Sequence, residues 1–139
     1  MIFNKYIGIP YKNLGKDFNH ADCFGLIYLA IKEEKGEELP DFTRLGYSSG
    51  LVNEKEEKLI VDKMDELNNI LFELVYPPYK KFDIALFYGA GNRIVNHIGM
   101  FINDFEFIHT KENSSSFKSK FDKQYKKRLY KVLRLKGDS

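Results

Sequence analysis

The amino-acid sequence predicts a single α+β domain, in which helices from the first half of the chain pack on one side of an antiparallel β-sheet from the second half. The 139 residues suit one hydrophobic core, since domains commonly hold roughly 100 to 200 residues. Hydrophobic residues make up 43% of the chain, which is too many for a disordered protein. Helical periodicity comes first along the chain and short β runs come second, which is the order of an α+β fold. We expect one domain over residues 1–139.

The first residues predict a loop followed by a helix. The loop runs into Asn13-Leu14-Gly15, where the glycine can adopt a positive φ. The helix is indicated by apolar residues at the spacing of one helical face, namely Cys23, Leu26, Ile27, Ala30 and Ile31. Asn19 or Asp22 can cap its start and Gly36 can end it. Cys23 is therefore expected in the first helical turn.

A second helix is predicted in the middle of the chain. Its apolar stripe consists of Ile60, Met64, Leu67 and Leu71, which are spaced for one helical face. The breaker Tyr76-Pro77-Pro78-Tyr79 follows it. We therefore place the change from helices to strands at this breaker.

Short β runs follow the breaker. Strands are predicted over residues 83–88, 97–102 and 105–109, and consecutive strands favour a meander. The segment 111–127 is polar and basic. A last, half-exposed strand is predicted over residues 128–135, because its apolar and charged residues alternate.

Charge and hydropathy exclude several classes of function. Lys and Arg number 22 against 20 Asp and Glu, so the near balance does not favour nucleic acid as a partner. The apolar stretches are far shorter than the roughly 20 residues that span a bilayer, so no membrane insertion is expected. The first residues lack the pattern of a secretory signal, which predicts a protein that is cytoplasmic when made.

The single cysteine, Cys23, cannot form an internal disulfide. A helix N-terminus lowers the pKa of a thiol, so Cys23 is a candidate nucleophile with His97 or His109 as its base. A lone cysteine on an apolar helix face is more often a plain core residue. A zinc site of these three residues is less favoured, because close-spaced ligand pairs are missing. No metal and no cofactor are expected.

The two histidines flank the predicted hairpin, so its turn decides whether they can cooperate. A two-residue turn at Asn103-Asp104 would point the imidazoles to opposite faces of the sheet. A three-residue connection pairs Ile102 with Glu106 and places His109 opposite Gly99, diagonal to His97 on the same face. We expect the second arrangement, with Gly99 leaving open space between the rings. His97 would then act as base and His109 would orient it.

Several motifs occur in the order typical of the NlpC/p60 family of cell-wall cysteine peptidases, which the sequence resembles over residues 6–135. The matching residues are Pro10-Tyr11, Asp22-Cys23-Phe24-Gly25-Leu26, Leu39-Pro40, Asp83, His97 to Ile102 and Phe107 to His109. The resemblance implies a permuted papain-like fold with Cys23 as nucleophile, His97 as base and His109 as third polar residue. It implies that Tyr11 and Asp22 lie in the region that binds the oxyanion and the substrate. A helix cap is the more expected role of Asp22.

The resemblance also implies a substrate. Peptidoglycan stem peptides would be cleaved between D-glutamate and a diamino acid. Two alternatives stay open: an acyltransferase or amidase on the same scaffold, and a non-catalytic module that binds a phage tail or the cell wall.

Three departures from the family pattern are visible. Phe24 follows the cysteine where serine is common, Asn13-Leu14-Gly15 replaces a double glycine, and Phe82 replaces the glycine before Asp83. The aromatic residue after the cysteine, with Leu39-Pro40-Asp41-Phe42 soon after it, is similar to a branch found in phage tail-tip proteins. That branch implies phage tail proteins as partners and action at the cell wall from a virion.

Overall fold

A computed structural model of the chain describes residues 2–39, 72–89 and 95–137. The predicted second helix, with its stripe from Ile60 to Leu71, lies outside these ranges. The described helices are a short 3-10 helix and two α-helices: Ile2–Tyr6, α1 (Cys23–Lys35) and α2 (Lys123–Arg128). The described strands are β1 (Phe72–Val75), β2 (Ile84–Tyr88), β3 (Val95–Phe101), β4 (Glu106–His109), β5 (Phe117–Lys120) and β6 (Leu129–Leu135).

The strands form one antiparallel sheet in the order β1-β6-β2-β3-β4-β5. The predicted meander is confirmed, because β2, β3 and β4 are neighbours both along the chain and in the sheet. Helix α1 packs against β3 and β4. This arrangement is the predicted α+β fold. No helix in the described ranges has the length and apolar character that crossing a membrane requires.

Helix α1 begins and ends where the sequence predicts. The Asp22 side chain accepts a hydrogen bond from the Gly25 N–H at 2.6 Å, which satisfies a donor that the first turn leaves unpaired. Gly36 ends the helix with a left-handed φ of 71°. A Cβ atom at Gly25 would overlap the carbonyl oxygen of Gly15. The first turn of the helix therefore needs a glycine at position 25 to lie against the preceding loop.

The two faces of the sheet bury different clusters. Toward α1, the first cluster includes Ile84, Ile98, Met100 and Ile108. On the other face, the second cluster is mainly aromatic and is formed by Tyr79, Ala85, Phe87, Phe101, Phe107, Phe121 and Val132, with Tyr125 of α2 packed against it. Alternating side chains along each strand produce this division.

The sequence did not predict β1, β5, α2 or the 3-10 helix. The segment 111–127, interpreted only as polar and basic, contains β5 and most of α2. Asp122 caps α2 by accepting hydrogen bonds from the N–H groups of Gln124 and Tyr125. The last strand begins at Leu129 and not at the predicted Arg128, because Arg128 ends this short helix.

The three-residue connection between β3 and β4 is confirmed. Met100 pairs with Ile108 and Phe101 with Phe107, and the Ile102 N–H donates to the Glu106 carbonyl at 3.0 Å. The expectation of open space at Gly99 is wrong. A Cβ atom there would lie 2.7 Å from Cδ2 of Phe107, so the glycine makes room for that aromatic ring.

The loop before α1 also differs from its prediction. The positive φ of 69° belongs to Leu14 and not to Gly15. Gly15 is required by close packing, since a Cβ atom there would lie 2.7 Å from the His20 carbonyl oxygen. The Leu14 N–H donates to Oδ2 of Asp22 at 2.8 Å. This bond holds the strained leucine in place and joins the loop to the helix cap.

The segment from Tyr6 to Tyr11 is bound to the segment that precedes β5. Backbone N–H groups of Gly8 and Tyr11 donate to the carbonyls of Ser116 and Ser114, at 2.8 and 3.0 Å. The Ser116 hydroxyl accepts from the Ile9 N–H at 2.9 Å and donates to the Tyr6 carbonyl at 2.6 Å. These bonds join parts of the chain that are more than a hundred residues apart.

Candidate active site

Two imidazoles meet at one end of the β3–β4 hairpin. His97 lies near the start of β3 and His109 ends β4, so both lie at the end opposite the Asn103 connection. The distance between Nε2 of His97 and Nδ1 of His109 is 2.8 Å. The ring planes are inclined by 71°. The register predicted from the sequence therefore brings the two histidines into direct hydrogen-bond contact.

His109 is buried within the aromatic cluster. Its ring centroid lies 4.5 Å from that of Phe107, 4.2 Å from Phe117 and 5.6 Å from Tyr125. Its second ring nitrogen, Nε2, lies 2.7 Å from Oγ of Ser119 on β5. Both nitrogens of this imidazole thus have a hydrogen-bond partner.

Burial keeps both imidazoles neutral at physiological pH. Burial lowers the pKa of His97 from its ordinary value near 6.5 to about 4, with smaller contributions from the cations Arg128 and Lys111. The pKa of His109 is also lowered, first by burial and then by the neighbouring His97 and Lys111. A neutral imidazole keeps a lone pair, so His97 has the protonation state that a general base requires.

The contact between the rings allows two proton arrangements. If Nε2 of His97 donates, Nδ1 of His97 carries the lone pair and the proton of His109 is on Nε2. If Nδ1 of His109 donates, Nδ1 of His97 carries a proton. Only the first arrangement leaves Nδ1 of His97 able to accept a proton from a nucleophile.

Cys23 is the first residue of α1 and is buried. The N-terminus of a helix presents the positive end of its dipole, which stabilises a thiolate. Helix α1 packs against the strands that carry both histidines. The apolar residues of α1 contact the sheet face that carries Ile98 and Ile108, whereas the imidazoles lie among the aromatic residues of the other face.

Tyr11 lies close to the cysteine. Burial raises the pKa of Tyr11, and electrostatic interaction with the ionisable groups of Cys23, Asp22 and Glu112 raises it further. The hydroxyl therefore stays protonated and can donate a hydrogen bond. Glu112 follows His109 by three residues, so Tyr11 and the end of β4 lie in the same region of the molecule.

Asp22 acts as a structural cap. It is fully buried, with Oδ1 accepting from the Gly25 N–H and Oδ2 from the Leu14 N–H. Because it is buried, the carboxylate positions the loop and helix on either side of Cys23 and does not itself present a surface to a substrate.

Three residues of this region were missed by the sequence analysis: Ser119, Lys111 and Arg128. Lys111 and Ser119 lie among lysines and serines that give the segment 111–127 a polar character. Arg128 was assigned to the predicted last strand. The alternation of Phe117 and Ser119 with two lysines was the available signal for β5, with Ser119 on the inner side. Within the described ranges, no group of three or more His, Cys, Asp or Glu side chains is arranged to hold a metal ion.

Comparison with known proteins gives one family match. The profile of the NlpC/P60 family matches residues 8–134. A search among curated protein sequences gave no match.

Several solved structures share the fold. The NlpC/p60 domain of the peptidoglycan hydrolase SagA is 19% identical, with a TM-score of 0.58 over 94% of this chain and 90% of that domain. An NLP/P60 family protein similar to a lipoprotein, from Staphylococcus aureus, is 17% identical with a TM-score of 0.59, over 96% of this chain. An NlpC/P60 family protein from Bacillus cereus is 20% identical with a TM-score of 0.60, over 92% of this chain. This chain spans only 39% and 36% of the lengths of the latter two proteins.

Proposed function

Because the chain belongs to the NlpC/P60 family, we propose that it is a cysteine peptidase that hydrolyses peptidoglycan stem peptides. One observation carries the proposal: the 2.8 Å contact between His97 and His109, two residues that lie with Cys23 inside the family match over residues 8–134. A buried thiol, a neutral imidazole and a second imidazole that orients the first are the components of acyl transfer through a thioester.

The first half of the reaction forms the acyl-enzyme. Nδ1 of His97 accepts the thiol proton, and Sγ of Cys23 attacks the amide carbonyl carbon. The oxyanion is stabilised by the Cys23 backbone N–H and the Tyr11 hydroxyl. The carbon–nitrogen bond then breaks, and His97 returns its proton to the leaving amine.

The second half releases the product. His97 removes a proton from water, and the resulting oxygen nucleophile attacks the thioester. The carbon–sulfur bond then breaks, and His97 returns that proton to Sγ of Cys23. The products are a carboxylic acid and the free thiol of Cys23. Throughout, Nε2 of His97 donates to His109, which holds the imidazole in one orientation.

The chemistry of the site supports an acidic peptide as substrate. Lys111 is exposed and lies near both histidines, as its effect on their pKa values shows. Stem peptides carry free carboxylates beside their amide bonds, and a nearby cation favours them. We place the cleavage between D-glutamate and the diamino acid on the resemblance alone. We propose delivery by a phage tail on the resemblance carried by Phe24 and Leu39-Pro40-Asp41-Phe42.

Digestion of purified muropeptides in ¹⁸O-labelled water tests the proposal. We expect mass spectrometry to show two fragments, with ¹⁸O in the new carboxylate, and no cleavage by Cys23→Ala. Fragment masses identify the bond. A product joined to an added amine, without ¹⁸O, would instead establish an acyltransferase. Binding of muropeptides without cleavage would identify a non-catalytic wall-binding module.

A further inference from the structure

Resting on the proposed peptidase function, we propose that Ser119 is a positioning residue whose hydroxyl accepts the Nε2–H of His109 and thereby sets the proton positions of both imidazoles. The side chains of His97, His109 and Ser119 would act as one hydrogen-bonded row across β3, β4 and β5.

Sheet register places these three side chains in contact. In the β4–β5 pair, Phe107 lies opposite Ser119 and His109 opposite Phe117, so Ser119 is diagonal to His109. The β3–β4 register places His97 diagonal to His109 from the other side. The two resulting contacts are 2.8 Å and 2.7 Å long. Both are within the range of good hydrogen bonds.

The reaction requires one direction of donation along this row. When His97 holds the thiol proton, both of its nitrogens carry hydrogen, so Nε2 must donate to Nδ1 of His109. His109 then carries its own proton on Nε2, which needs an acceptor because the ring is buried. The neighbouring rings of Phe107 and Phe117 offer no lone pair. Oγ of Ser119 is the acceptor in reach.

Donation in the opposite direction would prevent catalysis. If the Ser119 hydroxyl donated to Nε2 of His109, the proton of His109 would lie on Nδ1. This N–H would then donate to Nε2 of His97. His97 would then carry its proton on Nδ1 and could not accept one from the thiol. Ser119 therefore matters for which tautomer is populated, beyond holding β5 in place.

Three variants test this role. Ser119→Ala removes the acceptor, Ser119→Thr keeps a hydroxyl and suits a β-strand, and Ser115→Ala makes the same chemical change at an exposed position. We expect Ser119→Ala to lower kcat by about tenfold with little change in KM. The reason is that the His97–His109 pair loses one hydrogen bond while His97 carries a positive charge. Ser119→Thr and Ser115→Ala should stay near the wild-type value.

Two further measurements do not depend on a peptide substrate, so they separate this inference from the proposed function. Ring ¹⁵N signals should show His109 protonated on Nε2 in the wild type and a tautomer mixture in Ser119→Ala. Alkylation of Cys23 by iodoacetamide should slow in Ser119→Ala and not in Ser119→Thr. A wild-type alkylation rate in Ser119→Ala, or a wild-type His109 protonated on Nδ1, would overturn the inference even if muropeptides are cleaved.

Discussion

At the scale of single residues, the low pKa of His97 determines how the site handles its proton. With its pKa at about 4, the imidazole of His97 is neutral at pH 7, and in the proposed mechanism it accepts the proton of the Cys23 thiol. Transfer of that proton gives the thiolate and the imidazolium without any exchange with solvent. The reactivity of the pair therefore follows the loss of one proton from both groups together.

Alkylation of Cys23 tests this coupling. We expect iodoacetamide to react with Cys23 far below pH 8.5, the approximate pKa of an ordinary thiol, with the rate declining only as His97 becomes protonated. His97→Ala should move the alkylation profile toward that of an ordinary thiol, with the helix N-terminus still favouring the thiolate. His20→Ala, at an exposed histidine of the preceding loop, is the matched control and should leave the profile unchanged. A profile that His97→Ala does not move would contradict a catalytic pair.

Substitutions of His109 distinguish a role as hydrogen-bond acceptor for His97 from a role in packing alone. His109→Asn and His109→Gln each supply a carboxamide oxygen that can accept the Nε2–H of His97, so a substantial fraction of muropeptide hydrolysis should remain. His109→Ala removes the acceptor and should lose much more activity, and His97→Gln, which removes the base, should lose nearly all of it. Comparing kcat across these four proteins is the measurement. Equal kcat values for the Ala and Asn variants would leave a Cys–His dyad.

At the scale of elements, the turn before β2 holds Phe82 in an unusual backbone conformation. Its φ is 75°, a region that favours glycine because an L side chain crowds the backbone there. Two contacts hold the residue: its N–H donates to the Phe101 carbonyl at 2.8 Å, and its ring meets Phe3 at 5.5 Å between centroids. Burial of the aromatic ring thus offsets the strain of the turn.

Two substitutions at Phe82 distinguish the stabilisation by its aromatic ring from the cost of its strained backbone conformation. Phe82→Ala and Phe82→Gly both remove the ring, but only glycine relieves the backbone. We expect the free energy of unfolding of Phe82→Gly to exceed that of Phe82→Ala by about 1 kcal/mol, measured by urea denaturation. At Phe72, which is also buried but lies in β1, the order should reverse because glycine weakens strands. Greater stability of Phe82→Ala than of Phe82→Gly would rule out strain at this turn.

Local signals explain which elements were predictable. Helix α1 has its cap, its apolar periodicity and its stop residue within fifteen positions, so its limits follow from sequence alone. The hairpin register followed from the spacing of His97 and His109 around a short connection. Strands β1 and β5 have four residues each, which is too short for alternation to be distinctive.

Non-local contacts explain what could not be predicted in the site. The role of Ser119 depends on pairing between β4 and β5, and the fit at Gly99 depends on the ring of Phe107 across the hairpin. The residues next to Ser119 and Gly99 in the sequence do not indicate either of these contacts. Leu14 similarly takes the positive φ because Asp22 binds its N–H, which loop composition does not reveal.

At the scale of the whole molecule, the half-buried His97 and the buried His109 link folding to pH. Unfolded histidines bind protons below about pH 6.5, whereas folded His97 stays neutral to about pH 4. Between these values the unfolded state holds more protons, so the free energy of unfolding falls as the pH falls. The lowered pKa of His109 acts in the same direction.

Urea denaturation across this range measures the effect. We expect full stability above pH 6.5 and a decline toward pH 4, with His97 alone contributing about 3 kcal/mol at roughly 1.4 kcal/mol for each pH unit. The doubly substituted protein His97→Gln with His109→Asn should lose less stability over the same interval, while carboxylates titrate equally in both proteins. Parallel curves for the two proteins would show that the imidazoles are not buried as neutral groups.

The bonds between the first residues and the segment before β5 also have a consequence for how the site arises during synthesis. Ile9 and Ser116 are separated by 107 positions, and closing so long a loop is entropically costly and slow. Tyr11 cannot reach its place until Ser114 and Ser116 have left the ribosome, and His97, His109 and Ser119 also emerge long after Cys23. For most of elongation the nascent chain therefore carries Cys23 without either histidine. Under the proposed peptidase function, reactivity arises only when the late strands and the early loop join, so the unfinished chain does not attack peptides nearby.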